Sequence, residues 1–198
     1  MSVLPRAFYE QEVIDAARLL LGKRLVRRWQ GQLISGLIVE TEAYRGEEDL
    51  ACHAKSGRTP RTAVMYGPAG HAYVYSTYGM HWCLNAVCGE EGFPAAVLLR
   101  AVWPLTGLDE MAKKRGRFPL QQWCNGPAKL CQAFSIDGQQ NGCDLCSSVD
   151  GLWIEDDREV PAEKIVTGPR VGIQSVPEPW LSKPWRFTAL LEEEKNDR

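Results

Sequence analysis

The sequence predicts an α+β fold in which a curved antiparallel sheet is flanked by a few helices. Predicted strands outnumber predicted helices, and most consecutive strands are joined by short turns, which is the order of β-hairpins. The chain has 198 residues, enough to bury a sizeable core within one domain. We therefore expect a single domain over residues 1–198, with an acidic tail from about residue 192.

The first part of the chain predicts a helix followed by a hairpin. Apolar residues recur at helical spacing over residues 10–21, and Gly22 is placed to end that helix. Residues 23–29 and 32–40 have the composition of two strands, and Gln30-Gly31 forms the turn between them. Apolar residues occupy both faces of the second strand, which predicts that it is strongly buried.

Residues 44–70 predict a long loop, because glycine, proline and charged residues dominate them. A loop of this length in a compact domain is usually functional or disordered. It leads into a strand over residues 71–77, on which Tyr73 and Tyr75 share one face. Tyr78-Gly79 then predicts a sharp turn with the Tyr78 ring at its tip.

The remainder predicts further strands and two short helices. Strands are expected at residues 82–87, 95–102, 152–155, 169–173 and 185–191, and helices at residues 107–115 and from residues 125–127 onward. Pro127 suits the first turn of the second helix, whose free N–H groups together with Lys129 favour a phosphate. The alternative is an ordinary capped helix.

The net charge of −2 hides an uneven distribution of charged residues. No acidic residue lies between Asp49 and Glu90, whereas Lys55, Arg58 and Arg61 do. The acidic residues crowd the end of the chain instead. This pattern predicts a cationic face, and the alternative is a gap that arose by chance.

The sequence carries no signal for export or membrane insertion. Its first residues lack a basic start with an apolar run, and no apolar run approaches the ~18–20 residues that span a bilayer. Seven cysteines, an odd number, favour free thiols in a reducing compartment over a disulfide framework. We expect a cytoplasmic protein without membrane contacts.

Glu42 is the leading candidate for a catalytic group. A glutamate at the end of a buried strand can orient and deprotonate a water when its surroundings tune its pKa. Arg100, which ends another apolar run, is a plausible partner for that carboxylate. The alternative is an ion pair between strand ends. Glu40 is a rival base, because residues two apart on a strand point the same way.

Tyr44, Tyr75, Tyr78 and His53 form a second group of candidates. Planar side chains around a slot can stack a nucleobase that has left its helix, and a protruding aromatic can fill the gap behind it. The alternative is a tyrosine-rich sheet that packs its own core.

Other motifs indicate little chemistry. Cys143 and Cys146 form a CxxC pair without zinc-finger spacing upstream or downstream, so neither a metal site nor a redox pair is favoured. Met80 and Met111 read as side chains that fill gaps in the core. There is no Gly-x-Gly-x-x-Gly motif after a strand, no Walker loop and no Gly-x-Ser-x-Gly elbow, so nucleotide cofactors and serine hydrolysis are not indicated.

Ordered motifs along most of the chain resemble the 3-methyladenine (alkyladenine) DNA glycosylase family of base-excision repair. The motifs are Leu21-Gly22-Lys23, Glu40-Thr41-Glu42-Ala43-Tyr44, His53, Thr59-Pro60-Arg61, Tyr73-Val74-Tyr75, Tyr78-Gly79-Met80, Cys83-Leu84-Asn85, Val97-Leu98-Leu99-Arg100-Ala101, Gly126-Pro127-Ala128-Lys129-Leu130-Cys131-Gln132 and Arg170-Val171-Gly172. The resemblance implies a single α+β domain like an open barrel, no metal or organic cofactor, damaged double-stranded DNA as partner, and action as a monomer.

The resemblance also implies a role for particular residues. It makes Glu42 the base that activates water for attack on C1′ of the damaged nucleotide, with Arg100 near that water. The implied walls of the base pocket are Tyr44, His53, Tyr75 and Asn85, and Asn85 would obstruct the 2-amino group of guanine. Tyr78 resembles the wedge in the minor groove, and Arg58, Thr59 and Lys129 resemble contacts to phosphates.

Two other classes of function stay open at this point. A non-catalytic reader of damaged or bent DNA would use the same cationic face and wedge but would need no ionisable group at residue 42. A small hydrolase of free nucleosides would need neither the wedge nor the cations, and its activity would not fall with added salt.

Overall fold

One antiparallel sheet organises the chain in the computed structural model, which describes residues 1–190. Its eight strands are β1 (Arg24–Trp29), β2 (Gln32–Arg45), β3 (Ala72–Thr77), β4 (His81–Val87), β5 (Ala95–Thr106), β6 (Leu152–Glu155), β7 (Ile165–Gly168) and β8 (Arg186–Ala189). The strand order is β3-β4-β5-β2-β1-β6, while β8 pairs with β2 and β7 pairs with β8. The sheet is not closed into a barrel. A single domain with one antiparallel sheet and flanking helices confirms the predicted α+β fold. The predicted acidic tail lies outside the described residues.

Four α-helices within residues 1–190 accompany the sheet: α1 (Arg6–Tyr9), α2 (Val13–Leu19), α3 (Leu108–Arg115) and α4 (Pro127–Phe134). Strand pairing and helix packing bury the apolar residues in one main core, whose largest side chains include Tyr9, Phe134 and Phe187. None of the helices within residues 1–190 is long and apolar enough to cross a bilayer.

Strand β2 is the longest, and its partners change along its length. Its first half pairs with β1, residues Glu40, Thr41 and Glu42 pair with β8, and its other edge pairs with β5 throughout. The pairing with β5 shifts register around Glu40, which leaves Val39 and Arg100 without a partner. Bulges of this kind bend a strand and re-aim the side chains beside them. The bend lies next to Glu42.

Several predicted elements have different boundaries in the structure. The helix predicted at residues 10–21 corresponds to α2, which begins at Val13, because Glu12 precedes it and accepts the Ile14 N–H at 2.7 Å. The strand predicted at residues 32–40 continues to Arg45, and the strand predicted at residues 95–102 continues to Thr106. Within the long loop predicted at residues 44–70, two short 3-10 helices form, His53–Ser56 and Ala63–Tyr66.

The prediction of a strand at residues 169–173 is wrong. Strand β7 ends at Gly168, and the following segment is irregular. Pro169 has no N–H to give to a sheet, and Gly172 has a φ of +83°, which a strand does not adopt. The segment instead crosses towards β2 and brings Arg170 and Val171 to the neighbourhood of Glu42.

The prediction for the two methionines is right for one of them. Met111 is fully buried in the main core, as expected of a side chain that fills gaps. Met80 is 74% exposed at the turn between β3 and β4, because it follows Tyr78-Gly79 at the tip and faces no other element. It therefore lies on a surface and not in a core.

Candidate active site

Protein atoms fully enclose the carboxylate of Glu42 on strand β2. Its side chain has 0% solvent exposure. The Tyr44 hydroxyl donates a hydrogen bond of 2.8 Å to Oε2, and the Val171 N–H donates one of 2.7 Å to Oε1. Glu42 and Tyr44 are two residues apart on one strand, so their side chains point to the same face. Each oxygen of the buried carboxylate is thus held by a neutral donor.

Arg100 provides the positive charge beside this carboxylate. Its Nη1 lies 3.3 Å from Glu42 Oε1, and its Nε lies 3.4 Å from Glu40 Oε1. Arg100 is the unpaired residue of the bulge on β5, and the bulge directs its side chain towards both glutamates. The Arg100 Nε is buried and makes no hydrogen bond within the described chain, so its interaction with Glu40 is electrostatic.

Burial distinguishes Glu42 from Glu40, which the strand pattern alone left equivalent. The Glu40 side chain keeps 17% exposure and forms a second ion pair with Arg186 at 2.9 Å. Among the ion pairs within residues 1–190, Glu42 has Arg100 alone. Glu40 therefore lies between two guanidinium groups near the surface, whereas Glu42 is the enclosed carboxylate with a single cation.

The enclosure of Glu42 changes its affinity for a proton. Burial raises the pKa of the Glu42 carboxyl above its ordinary value of 4.5, because an ion in a low dielectric is unfavourable; Arg100 and the donors from Val171 and Tyr44 oppose this effect in part. Burial and the charge of Glu42 raise the pKa of Tyr44 well above 10.0, so its hydroxyl stays protonated and keeps donating. A raised pKa suits a carboxylate that takes a proton from water.

A buried ion pair between Arg170 and Asp49 fixes the loop that carries Val171. Both side chains have 0% exposure, and Arg170 Nη2 donates to Asp49 Oδ1 at 2.8 Å. Arg170 also donates to the Ala43 carbonyl at 3.0 Å, and its guanidinium lies 4.7 Å from the centre of the Tyr44 ring. One side chain therefore joins β2, the loop after it and the segment that holds the Val171 N–H against Glu42.

A cavity of about 380 Å³ lies beside this carboxylate. Its wall includes Tyr44, which carries the hydrogen bond to Glu42, and Gly172, which follows Val171. Glu42 itself lies behind that wall. The volume falls within the range of about 300–1,000 Å³ that small-molecule sites occupy. The cavity therefore combines the size of a ligand site with an ionisable group behind one wall.

Aromatic rings and one amide line the cavity on the β3 and β4 side. The His53 ring meets the Tyr75 ring edge-on with centroids 4.5 Å apart, and the Tyr73 and Tyr75 rings are tilted at 5.4 Å. His53 Nδ1 lies 3.0 Å from the Tyr73 hydroxyl, and Asn85 Nδ2 donates to the Tyr73 carbonyl at 2.9 Å. Burial, with Arg61 and Lys55 nearby, lowers the pKa of His53 to about 4, so the ring is neutral at pH 7.

Tyr78 stands at the rim of the same cavity. It lies at the tip of the β3–β4 hairpin with 88% exposure, and its backbone φ is +54°. Met80, also exposed, follows it. Tyr78 and Met80 thus place two exposed apolar side chains at the tip of this hairpin.

The three residues predicted to contact phosphates do not line the cavity. Arg58 is exposed, with its guanidinium 5.9 Å from the centre of the Tyr66 ring. The Thr59 hydroxyl is engaged in its own loop, where it lies 3.0 Å from the Thr62 hydroxyl. Lys129 donates to the Asn125 side chain at 2.8 Å at the start of α4. Their predicted contacts to DNA stay predictions.

The cysteines are all free thiols in this structure. Cys143 and Cys146 are partly exposed, and within residues 1–190 no group of three or more His, Cys, Asp or Glu side chains is arranged to hold a metal ion. The site is thus built from protein side chains and backbone donors.

Comparison with known proteins gives this arrangement a family. Residues 7–193 match the methylpurine-DNA glycosylase (MPG) family. The chain belongs to this family. The predicted family and the predicted enzyme class, a DNA glycosylase, are confirmed.

Three relatives of this glycosylase each bear the name "Putative 3-methyladenine DNA glycosylase". The protein from Methanocella arvoryzae is 48% identical over 94% of this chain and 92% of its own length. That from Burkholderia lata is 45% identical over 94% of this chain and 87% of its own. That from Desulfitobacterium hafniense is 47% identical over 94% of this chain and 95% of its own.

Sequence analysis of this glycosylase missed several residues of the site. It assigned no role to Tyr73, whose hydroxyl forms a hydrogen bond with His53. It also assigned none to the buried ion pair of Arg170 and Asp49. Arg170 stands in one of the motifs that carry the resemblance, which was an available signal. Asp49 offered none, because only the fold brings it to a residue 121 positions away.

Replacing Glu42 by glutamine should change the stability of this glycosylase in a way that depends on pH. The raised pKa means that the folded state binds the Glu42 proton more tightly than the unfolded state, so ionisation costs stability as pH rises above 4.5. The Tm of Glu42→Gln relative to wild type should therefore be higher at pH 8 than at pH 4. In a chain of this size a change of about 1 kcal/mol in the free energy of unfolding moves Tm by about 2–4 °C, so the pH dependence can be measured.

Thermal unfolding of both proteins at the two pH values makes the comparison. An equal Tm difference at pH 4 and pH 8 would contradict a raised pKa at residue 42.

Arg170→Met should destabilise the fold strongly, because it leaves the Asp49 carboxylate buried without a partner. Breaking a buried pair costs about 3–5 kcal/mol. Lys113→Met, which removes an ion pair with Glu110 on an exposed helix face, should change the free energy of unfolding by less than about 1 kcal/mol. Urea denaturation of both variants measures the difference.

The double variant Arg170→Met/Asp49→Leu should recover part of that loss. Equal free energies of unfolding for Arg170→Met and Lys113→Met would mean that the ion pair of Arg170 with Asp49 does not hold the loop in place.

Proposed function

We propose that this protein is a monofunctional DNA glycosylase that flips an alkylated or deaminated purine out of duplex DNA and hydrolyses its N-glycosyl bond, leaving an abasic site. The substrates proposed are of the 3-methyladenine, hypoxanthine and 1,N6-ethenoadenine class. Membership of the family and the names of the relatives support the reaction. The observation that carries the mechanism is the fully buried Glu42 carboxylate behind an aromatic cavity.

Glu42 acts as the base that activates the attacking water. The carboxylate takes one proton from a water molecule while the water oxygen forms a bond to C1′, and the bond from C1′ to the purine nitrogen breaks with its electron pair leaving on the base. The raised pKa of Glu42 favours the proton transfer. Arg100 lies next to that water, because its Nη1 is 3.3 Å from Glu42 Oε1.

The cavity receives the everted base. Tyr44, His53 and Tyr75 offer faces and edges of rings to a planar purine, and Asn85 presents an amide where the 2-amino group of guanine would lie. Tyr78 at the rim fills the space that the base leaves in the duplex. The surrounding cations Arg58 and Lys129, with Thr59, contact the phosphates.

A single hydrolytic step follows from the side chains present. Strand cleavage by a bifunctional glycosylase needs an amine that forms a Schiff base with C1′. No lysine is among the described residues that line the cavity. Water activated by one carboxylate suffices, because a damaged purine is already a good leaving group.

The reaction predicts base release without strand cleavage. Duplex oligonucleotides that contain hypoxanthine or 1,N6-ethenoadenine are incubated with the protein, and free base and strand breaks are measured before alkali is added. We expect free base and an alkali-sensitive but unbroken strand. Strand breaks in step with base release would contradict the monofunctional proposal.

Glu42→Gln is the matched control for this reaction. It should lower base release by several orders of magnitude while binding to lesion-containing or abasic duplex is kept, because the carboxylate performs chemistry and little docking. A non-catalytic reader of damaged DNA would show no base release with either protein. Retained release by the variant would move the role of base elsewhere, with Glu40 as the first candidate.

Tyr78→Ser should weaken binding to lesion duplex, because the ring offsets part of the unstacking free energy. Stacking of a base on an aromatic ring contributes about 1–3 kcal/mol, which corresponds to a loss of about 5-fold to 150-fold in affinity. Tyr78→Phe keeps the ring and should bind like wild type. Fluorescence anisotropy with labelled duplex compares the three proteins, and equal affinity of the serine variant would remove Tyr78 from this role.

A further inference from the structure

Arg61 places a positive charge in the cavity that the mechanism above does not use. It is one of the lining residues, and its guanidinium lies 5.2 Å from the centre of the Tyr75 ring. None of the ion pairs within the described residues 1–190 includes Arg61. This guanidinium therefore lies in the cavity without a carboxylate to neutralise it.

The groups around Arg61 leave the cavity positive. His53 is neutral, and the side chains of Tyr73, Tyr75 and Asn85 carry no charge at pH 7. The Glu42 carboxylate is not among the residues that line the cavity, and it is paired with Arg100.

The Arg61 guanidinium also lies over the face of the Tyr75 ring, where a positively charged base would stack. An electron-rich ring attracts a cation over its face, and this attraction is the reason to expect tyrosines to select a positively charged purine. Here a guanidinium already occupies that position over Tyr75. A base with a formal positive charge must displace Arg61 or lie close to it, whereas a neutral purine can stack and accept a hydrogen bond from it.

We propose that Arg61 is a specificity-determining residue, which makes the cavity favour electrically neutral damaged purines over purines that carry a positive charge from N-alkylation. The proposal rests on the glycosylase function proposed above. Hypoxanthine represents the neutral class, because its carbonyl oxygen can accept a guanidinium N–H. 7-Methylguanine in DNA represents the charged class.

Single-turnover base release from matched duplexes tests this selectivity. The quantity compared is the ratio of the rate for 7-methylguanine to the rate for hypoxanthine. Arg61→Gln should raise this ratio about tenfold over wild type, and Arg61→Lys, which keeps the charge, should leave it within about threefold. Arg61 is exposed to solvent, so the fold should survive, and Tm verifies this.

Arg58→Gln is the matched control, because Arg58 lies three residues earlier in the same loop but does not line the cavity. Its loss should slow both substrates in parallel and leave the ratio unchanged. If Arg61→Gln also leaves the ratio unchanged and only reduces the salt dependence of binding, Arg61 is a phosphate contact and the proposal is overturned.

A binding measurement keeps the proposal separate from catalysis. Affinities for the two lesion duplexes are compared between Glu42→Gln and Glu42→Gln/Arg61→Gln, neither of which should turn over. The second variant should gain affinity for the charged lesion relative to the neutral one by about tenfold. Absence of base release by wild type would overturn the proposed function, whereas equal relative affinities of the two variants would overturn the role of Arg61.

Discussion

The site depends on one costly interaction, the removal of the Glu42 carboxylate from water. A buried charge persists only when partners surround it, and here three different parts of the chain supply them: Tyr44 from the same strand, Arg100 from the neighbouring strand and the Val171 N–H from a distant loop. The direction of its pKa shows that these partners offset the desolvation only in part. The Glu42 carboxylate therefore binds a proton more readily than an exposed one, which is the property that the proposed base requires.

The irregular features of the fold are the ones that assemble this base. A regular pairing of β2 with β5 would alternate side chains without bringing Arg100 to both glutamates, and the bulge makes that contact. A regular strand after β7 would carry Arg170 and Val171 along the sheet. The irregular segment instead returns to β2, where Asp49 anchors Arg170. Regular strand pairing forms the sheet, whereas the bulge and the irregular segment place Arg100 and Val171 beside Glu42.

Local patterns in the sequence account for much of the scaffold. The strand at Leu152–Glu155 and the helix from Pro127 follow from composition and from turn residues, which act over a few positions. At residues 169–173, Pro169 and Gly172 were local signals against a strand, but the path of the segment towards β2 could not be predicted, because it depends on an ion pair with a residue far along the chain. Likewise, alternation along β2 could not separate Glu40 from Glu42, since the two differ in their neighbours from other parts of the fold. Glu40 pairs with Arg186 and stays partly exposed, whereas Tyr44 and Val171 hold the enclosed Glu42.

The turn that presents Tyr78 has a mechanical consequence. Tyr78 and Gly79 both have positive φ, at 54° and 65°, and the Met80 N–H returns to the Thr77 carbonyl at 3.2 Å. Positive φ at two successive residues is the backbone of a type I′ turn, which continues the twist of its strands. Met80 follows as the third residue of the connection between Thr77 and its strand partner His81. The hairpin thus holds the Tyr78 ring at a fixed distance from the sheet. Its reach is set by the register of β3 against β4, and one added residue would swing it to the opposite face of the ribbon.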